Sequence, residues 1–155
     1  MKKILFLCMG NICRSPAAHC VFQDLVNKAG LGNHYRIDSA GTIGFHEGSP
    51  PDERMHEVLR KYKIPIIGES RPLKYSDLEA FDLILAMDTA NLEDAKALDP
   101  EKKWHRKIQL FANYCLDPTL REIPDPYYGF ADGFEHVLDL VKEGCETLLE
   151  SLQKK

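Results

Sequence analysis

The chain has 155 residues, 44% of them hydrophobic, and its 20 lysines and arginines against 24 aspartates and glutamates give a net charge of −4. This length and composition suit one globular domain over 1–155 with a sizeable core, and the acidic balance argues against a nucleic-acid partner, which would ask for a basic face. No stretch approaches the ~20 apolar residues of a membrane span, and the apolar opening is too short for a secretory leader. The five irregularly placed cysteines give neither a disulfide framework nor a zinc-ligand spacing, so a reducing cytoplasm is the expected location.

The first element expected is a strand over Lys3–Leu7, whose run Ile4-Leu5-Phe6-Leu7 suits burial on both faces of a parallel sheet. It leads into Cys8-Met9-Gly10-Asn11-Ile12-Cys13-Arg14-Ser15-Pro16 and then a helix from Pro16 to about Ala29. A thiol therefore sits where a buried strand ends, and an arginine where a helix begins. The first helical turn has unpartnered N–H groups and a positive dipole end, and attracts anions. Gly10 and Asn11 tolerate left-handed backbone, which lets successive N–H groups turn inward as a nest. Pro16 suits the first helical position. Arg14 adds a planar fork for two phosphate oxygens. Positive surroundings of this kind favour a thiolate over a thiol, so Cys8 reads as a nucleophile at the floor of an oxyanion cradle.

Further along, Ala18, Val21, Phe22, Leu25 and Val26 form one stripe of the first helix, with Gly30 as its cap; His19 reads as surface. Tyr35–Ser39 is a second strand, followed by a glycine- and proline-rich loop over Ala40–Pro51 that is long enough to carry function. Asp52 caps a helix over Glu53–Tyr62 with Met55, Val58 and Leu59 inward. Ser76-Asp77-Leu78-Glu79 reads as a capping box for a short helix. Phe81–Met87 and Lys107–Phe111 are the third and fourth strands, with a helix over Thr89–Leu98 between them. The basic run 102–107 reads as solvated surface. After a loop-like stretch from Ala112 to Gly129, a closing helix covers Ala131–Leu152, with Gly144 weakening its continuity. Strands alternating with helices imply a three-layer α/β fold: a four-stranded parallel sheet with helices on both faces, and the anion loop between the first strand and first helix. Ligands bind at the carboxyl ends of such strands, and Cys8, Ser39 and Asp88 all lie there.

The stretch Cys8–Pro16 closely resembles the signature of the low-molecular-weight protein tyrosine phosphatases, and Asp125-Pro126-Tyr127-Tyr128 resembles that family's second signature. Asp38-Ser39-Ala40-Gly41-Thr42, Pro50-Pro51-Asp52 and Ala86-Met87-Asp88 look like further landmarks in the family's order. The resemblance implies hydrolysis of phosphotyrosine, and of small aryl phosphates, through a phosphocysteine. Phosphotyrosine proteins would be its partners and free oxyanions its products or inhibitors. No cofactor and no metal is implied, because Arg14 and the amides of Met9, Gly10, Asn11, Ile12 and Cys13 supply the charge.

The remaining roles combine residue chemistry with that resemblance. Ser15 offers its hydroxyl to the Cys8 sulfur, caps the helix, or does both. Asn11 with Ser39 is expected, as in the family, to hold the loop in shape. The acid for the leaving oxygen must come from elsewhere, and Asp99, Asp117 and Asp125 each precede a proline. A lone Asp-Pro pair usually marks a turn. Asp125 differs, because prolines stiffen both sides of it and two tyrosines follow; the family match agrees. Ile12, Phe45, Tyr127 and Tyr128 could line an apolar slot for a phenyl ring. Two readings stand for Phe45: pocket wall, where the family usually has tyrosine or tryptophan, and anchor of its loop to the core. Two stand for Cys13: a family-type reversible disulfide with Cys8, and a packing thiol. Where phosphoarginine-specific relatives tend to carry threonine, this chain has Ile12. The chain departs from the family at His19, often acidic there, and at Gly68-Glu69, ahead of Arg71, where the family often has a histidine.

Two other readings are weaker. A thioredoxin-coupled arsenate reductase would need a further redox cysteine pair after the third strand, and residues 81–114 contain no cysteine. A non-catalytic phosphate binder has no need to keep Cys8, Arg14, Ser15 and Asp125 together.

Overall fold

The computed structural model describes residues 1–127, 129 and 131–154; Tyr128 lies outside the described residues. Strand β1 (Lys2–Cys8) is central, with β2 (Tyr35–Gly41) on one side and β3 (Leu83–Ala86) then β4 (Ile108–Leu110) on the other. All three pairings are parallel. Such pairing requires crossovers, and helices α1 (Arg14–Lys28), α2 (Glu53–Lys61), α3 (Tyr75–Ala80) and α4 (Thr89–Ala97) lie in them, with α5 (Ala131–Gln153) closing the chain.

The period of two along β1 divides the core. Ile4, Phe6 and Cys8 face a cluster that includes Val21 and Phe22 of α1, Met55 and Leu59 of α2, and Phe134, Val137 and Val141 of α5. Leu5 and Leu7 face the other side, with Leu78 of α3 and Ala95 of α4. Phe6 meets Phe22 and Phe111 edge-on, at centroid distances of 5.9 and 6.0 Å. The four-stranded parallel sheet expected from sequence is therefore the one observed, with helices on both faces.

Several local expectations change. Helix α1 begins two residues before Pro16, with Cys13 at its N-cap, so Arg14 and Ser15 lie in the first turn. Pro16 is third in that turn, where its missing N–H still leaves no gap. The start of α3 also shifts: Lys74 is the N-cap, and the Asp77 carboxylate accepts from the Lys74 N–H at 2.8 Å. Gly144 does not interrupt α5; a Cβ there would stand 2.4 Å from Phe111 Cζ, so glycine admits the ring. Gly30, at φ 71°, closes α1 as expected, with Leu31 N–H bonded to the Val26 carbonyl and Gly30 N–H to that of Asn27. Part of the basic run is held down rather than solvated: Lys107 Nζ donates to the carbonyls of Leu78 and Glu79. No helix among the described residues is long and apolar enough to cross a membrane.

Candidate active site

Three carboxyl ends of the sheet meet at one rim. Cys8 ends β1, β2 ends beside it with Gly41 paired to Cys8, and Asp88 lies two residues beyond β3. Residues 9–13 curl between β1 and α1. Asn11 is left-handed, at φ 56°, and its N–H points at Cys8 Sγ, 3.3 Å away. Asparagine tolerates that conformation better than most residues. Its side chain then bonds both ways: Nδ2 donates to Ser15 Oγ at 2.7 Å, and Oδ1 accepts from Arg71 N at 3.0 Å. Ser15 Oγ lies 3.0 Å from Cys8 Sγ.

Gly41 is needed at the end of β2, where a Cβ would come within 2.7 Å of the Met9 carbonyl oxygen. Gly10 does not use a left-handed φ; its missing side chain leaves room for His46, whose Cδ2 would stand 3.1 Å from a Cβ. The Ile12 carbonyl accepts from Asp52 N at 2.7 Å, and the Asp52 carboxylate caps α2 through Arg54 N at 2.9 Å. The far side of the loop is thereby tied to the next helix.

Arg14 is buried, and three groups fix its guanidinium. Nη1 donates to Asp88 Oδ2 at 2.6 Å and to the Ile123 carbonyl at 3.0 Å; Nη2 lies 3.5 Å from Asp125 Oδ2. Burial works against its charge, but Cys8, Asp88 and Asp125 outweigh it and hold the pKa above the ordinary arginine value. Asp88 is also the N-cap of α4, its Oδ1 accepting from Asn91 N. Burial, and after it the nearby Asp52, raises the pKa of the Cys13 thiol, so that sulfur stays protonated.

The cavity above Cys8 has a volume of about 280 Å³, lined by Cys8, Met9, Gly10, Ile12, Cys13, Arg14, Ile43, Phe45, His46, Asp125 and Tyr127. Its floor is polar and its walls are apolar. Phe45 is 83% exposed, which rules out the reading that it anchors its loop to the core. Its ring meets His46 edge-on at 4.9 Å, and His46 lies 6.3 Å from the Tyr127 ring. Arg54 stands 5.4 Å from the other wall ring, that of Tyr127.

The three Asp-Pro pairs separate cleanly. Asp99 is buried, and its carboxylate accepts from Lys103 N and Trp104 N, as a turn requires. Asp117 does the same for Thr119 N and Oγ1. Asp125 alone of the three faces the cavity, with Oδ1 steadied by Tyr127 N at 3.1 Å.

One expectation needs correction. Ser39 Oγ lies 3.3 Å from His19 Nδ1, while the Asn11 amide bonds Ser15 and Arg71. His19 is 7% exposed rather than on the surface. Its spacing carried the clue, four residues after Ser15 and thus on the same helical face. Two further parts escaped sequence reasoning. His46 is a wall residue whose only sequence signal is its place beside Phe45. The Ile123 carbonyl is a backbone group, which no side-chain pattern announces.

The chain matches the model of the low molecular weight phosphotyrosine protein phosphatase family over residues 3–155. A Synechocystis relative is 46% identical over 153 residues, 99% of this chain and 98% of that one. The low molecular weight protein-tyrosine-phosphatase YfkJ of Bacillus subtilis is 42% identical over 156 residues, covering 100% and 98% of the two chains. A crystal structure of a protein tyrosine phosphatase from Entamoeba histolytica, with Hepes in its active site, superposes with a TM-score of 0.94 at 38% identity, over 99% of this chain and 98% of that one. The chain therefore belongs to the low molecular weight phosphotyrosine protein phosphatase family.

Proposed function

We propose that the protein hydrolyses phosphotyrosine in proteins, and small aryl phosphates, through a phosphocysteine on Cys8. The observation that carries this reading is the convergence of Cys8 Sγ, the Arg14 guanidinium and the Asp125 carboxylate on the floor of one apolar-walled cavity. The phosphate sits in the loop above Cys8, where Arg14 and the backbone amides of residues 9–13 meet its equatorial charge. The Cys8 thiolate attacks phosphorus, the bond from phosphorus to the phenolic oxygen breaks, and that oxygen takes the Asp125 proton. Water then attacks the phosphocysteine and gives a proton to Asp125. The sulfur–phosphorus bond breaks, its electron pair returns to Cys8, and inorganic phosphate leaves. Ser15 Oγ, 3.0 Å from the sulfur, stabilises the departing thiolate.

The slot between Phe45, His46 and Tyr127 receives the phenyl ring, and Ile12 keeps that wall apolar. Cys13, in the same loop, serves as the reversible disulfide partner: once a peroxide has oxidised Cys8 to the sulfenic acid, the Cys13 thiol displaces water from it, and the disulfide shields Cys8 from over-oxidation. Turnover of p-nitrophenyl phosphate by wild type and Cys8→Ser tests the reading, with phosphotyrosine, phosphoserine and phosphoarginine peptides in parallel. Metal-independent turnover that Cys8→Ser abolishes, with phosphotyrosine preferred, is expected. Activity surviving Cys8→Ser would overturn it.

A further inference from the structure

His19 has a place in this site that neither its position on α1 nor the reaction itself assigns. Ser15 Oγ has three neighbours: Asn11 Nδ2 donates into it at 2.7 Å, Cys8 Sγ lies at 3.0 Å, and the Ala40 carbonyl at 3.4 Å. With Asn11 donating, the one hydroxyl proton has two competing acceptors, the sulfur and the Ala40 oxygen. The sulfur belongs to the end of β1 and the Ala40 oxygen to β2, a strand that lies against α1.

One helical turn after Ser15, the His19 imidazole fills that same seam, with Nδ1 3.3 Å from Ser39 Oγ, on the residue next to Ala40. Residues four apart on α1 thus meet consecutive residues of β2. The ring is held from behind as well. Gly68, at φ +82°, leaves room where a Cβ would lie 3.2 Å from His19 Cε1, and Cys20 Sγ accepts from Ile67 N at 3.4 Å. Any side chain at 68 would press on the imidazole.

We infer that His19, wedged between α1, Ser39 and Gly68, is a positioning residue that holds α1 off β2, so that the Ser15 hydroxyl donates to the Cys8 sulfur and not to the Ala40 carbonyl. Its effect falls on the second step of the proposed reaction, on which the inference rests, because that is where the sulfur leaves as a thiolate. Formation of the phosphocysteine depends on Arg14 and Asp125, which His19 does not touch.

The test is stopped-flow hydrolysis of p-nitrophenyl phosphate by wild type, His19→Ala, His19→Gln and Ser39→Ala. In His19→Ala the steady-state kcat is expected to fall about tenfold while the first-turnover rate changes less than about twofold, so that a burst of nitrophenol appears. His19→Gln, whose amide spans the same gap, is expected to recover most of kcat. Ser39→Ala removes the contact that seats the ring against β2 and is expected to give a smaller burst in the same direction; it carries the test if His19→Ala does not fold. Equal falls in burst rate and kcat, or an unchanged kcat in both His19→Ala and Ser39→Ala, would overturn the inference alone. A wild type without turnover would overturn the phosphatase reading beneath it as well.

Discussion

Replacing Asp88 by asparagine tests how the Arg14 guanidinium is aimed. The Arg14–Asp88 pair is short, 2.6 Å, with side chains only 3% and 19% exposed. Asparagine keeps an oxygen for the Asn91 N–H that caps α4, but it takes away the charge facing Arg14. A hydrogen bond between charged groups in such a place contributes about 1.5–3 kcal/mol. The Ile123 carbonyl remains as a second anchor, which favours the lower half of that range. If the loss falls on the phosphate's transition state, kcat/KM for p-nitrophenyl phosphate drops about 10- to 40-fold. Asp88→Ala loses the cap as well, costing about 1 kcal/mol of stability, or about 2–4 °C in Tm for a chain of this size. Steady-state kinetics and thermal melts on both variants separate the two effects. An Asp88→Asn enzyme with wild-type kcat/KM would show that Arg14 is aimed without Asp88, and the argument would fail.

Two further outcomes concern stability. In Gly144→Ala the new Cβ meets Phe111 at 2.4 Å; overpacking of about 1–3 kcal/mol outweighs a helix gain of at most about 1 kcal/mol, and Tm falls by a few degrees. A rise in Tm would refute the packing account. Burial lowers the His19 pKa, with Arg71 acting in the same direction and Asp38 and the Ile37 carbonyl against it. The folded state then holds fewer protons than the unfolded one, so stability is lost as pH falls below about 6.5 and on through the lowered folded value. His19→Gln removes that titration, and its urea midpoint should decline less than the wild type's between about pH 7.5 and pH 5. Equal declines would mean that His19 does not contribute to acid sensitivity.

Much of this protein was legible before folding because the information was local. A run such as Ile4–Leu7 must be buried on both faces, and the spacing from Cys8 to Arg14 places a thiol and a guanidinium across one strand-to-helix turn. Asp52 capping α2 and Gly30 closing α1 are equally local, since each depends on dihedrals and hydrogen bonds within a few residues. The choice of Asp125 over Asp99 and Asp117 rested on its neighbours and the family likeness; all three carboxylates accept from backbone N–H groups of their own turns, and the fold brings Asp125 alone of the three to the cavity.

What the tertiary structure alone decided is which distant groups share a partner. Asp88 reaches Arg14 across 74 positions and Ile123 across 109, through a parallel sheet whose carboxyl ends converge. Ser39 meets His19, while the Asn11 amide bonds Ser15 and Arg71. Gly144 looked like a weak point in a helix until Phe111 was placed against it. Periodicity and turn chemistry report on the chain within a few residues; the partner of a buried polar group is set by which elements pack together, and no local pattern encodes that.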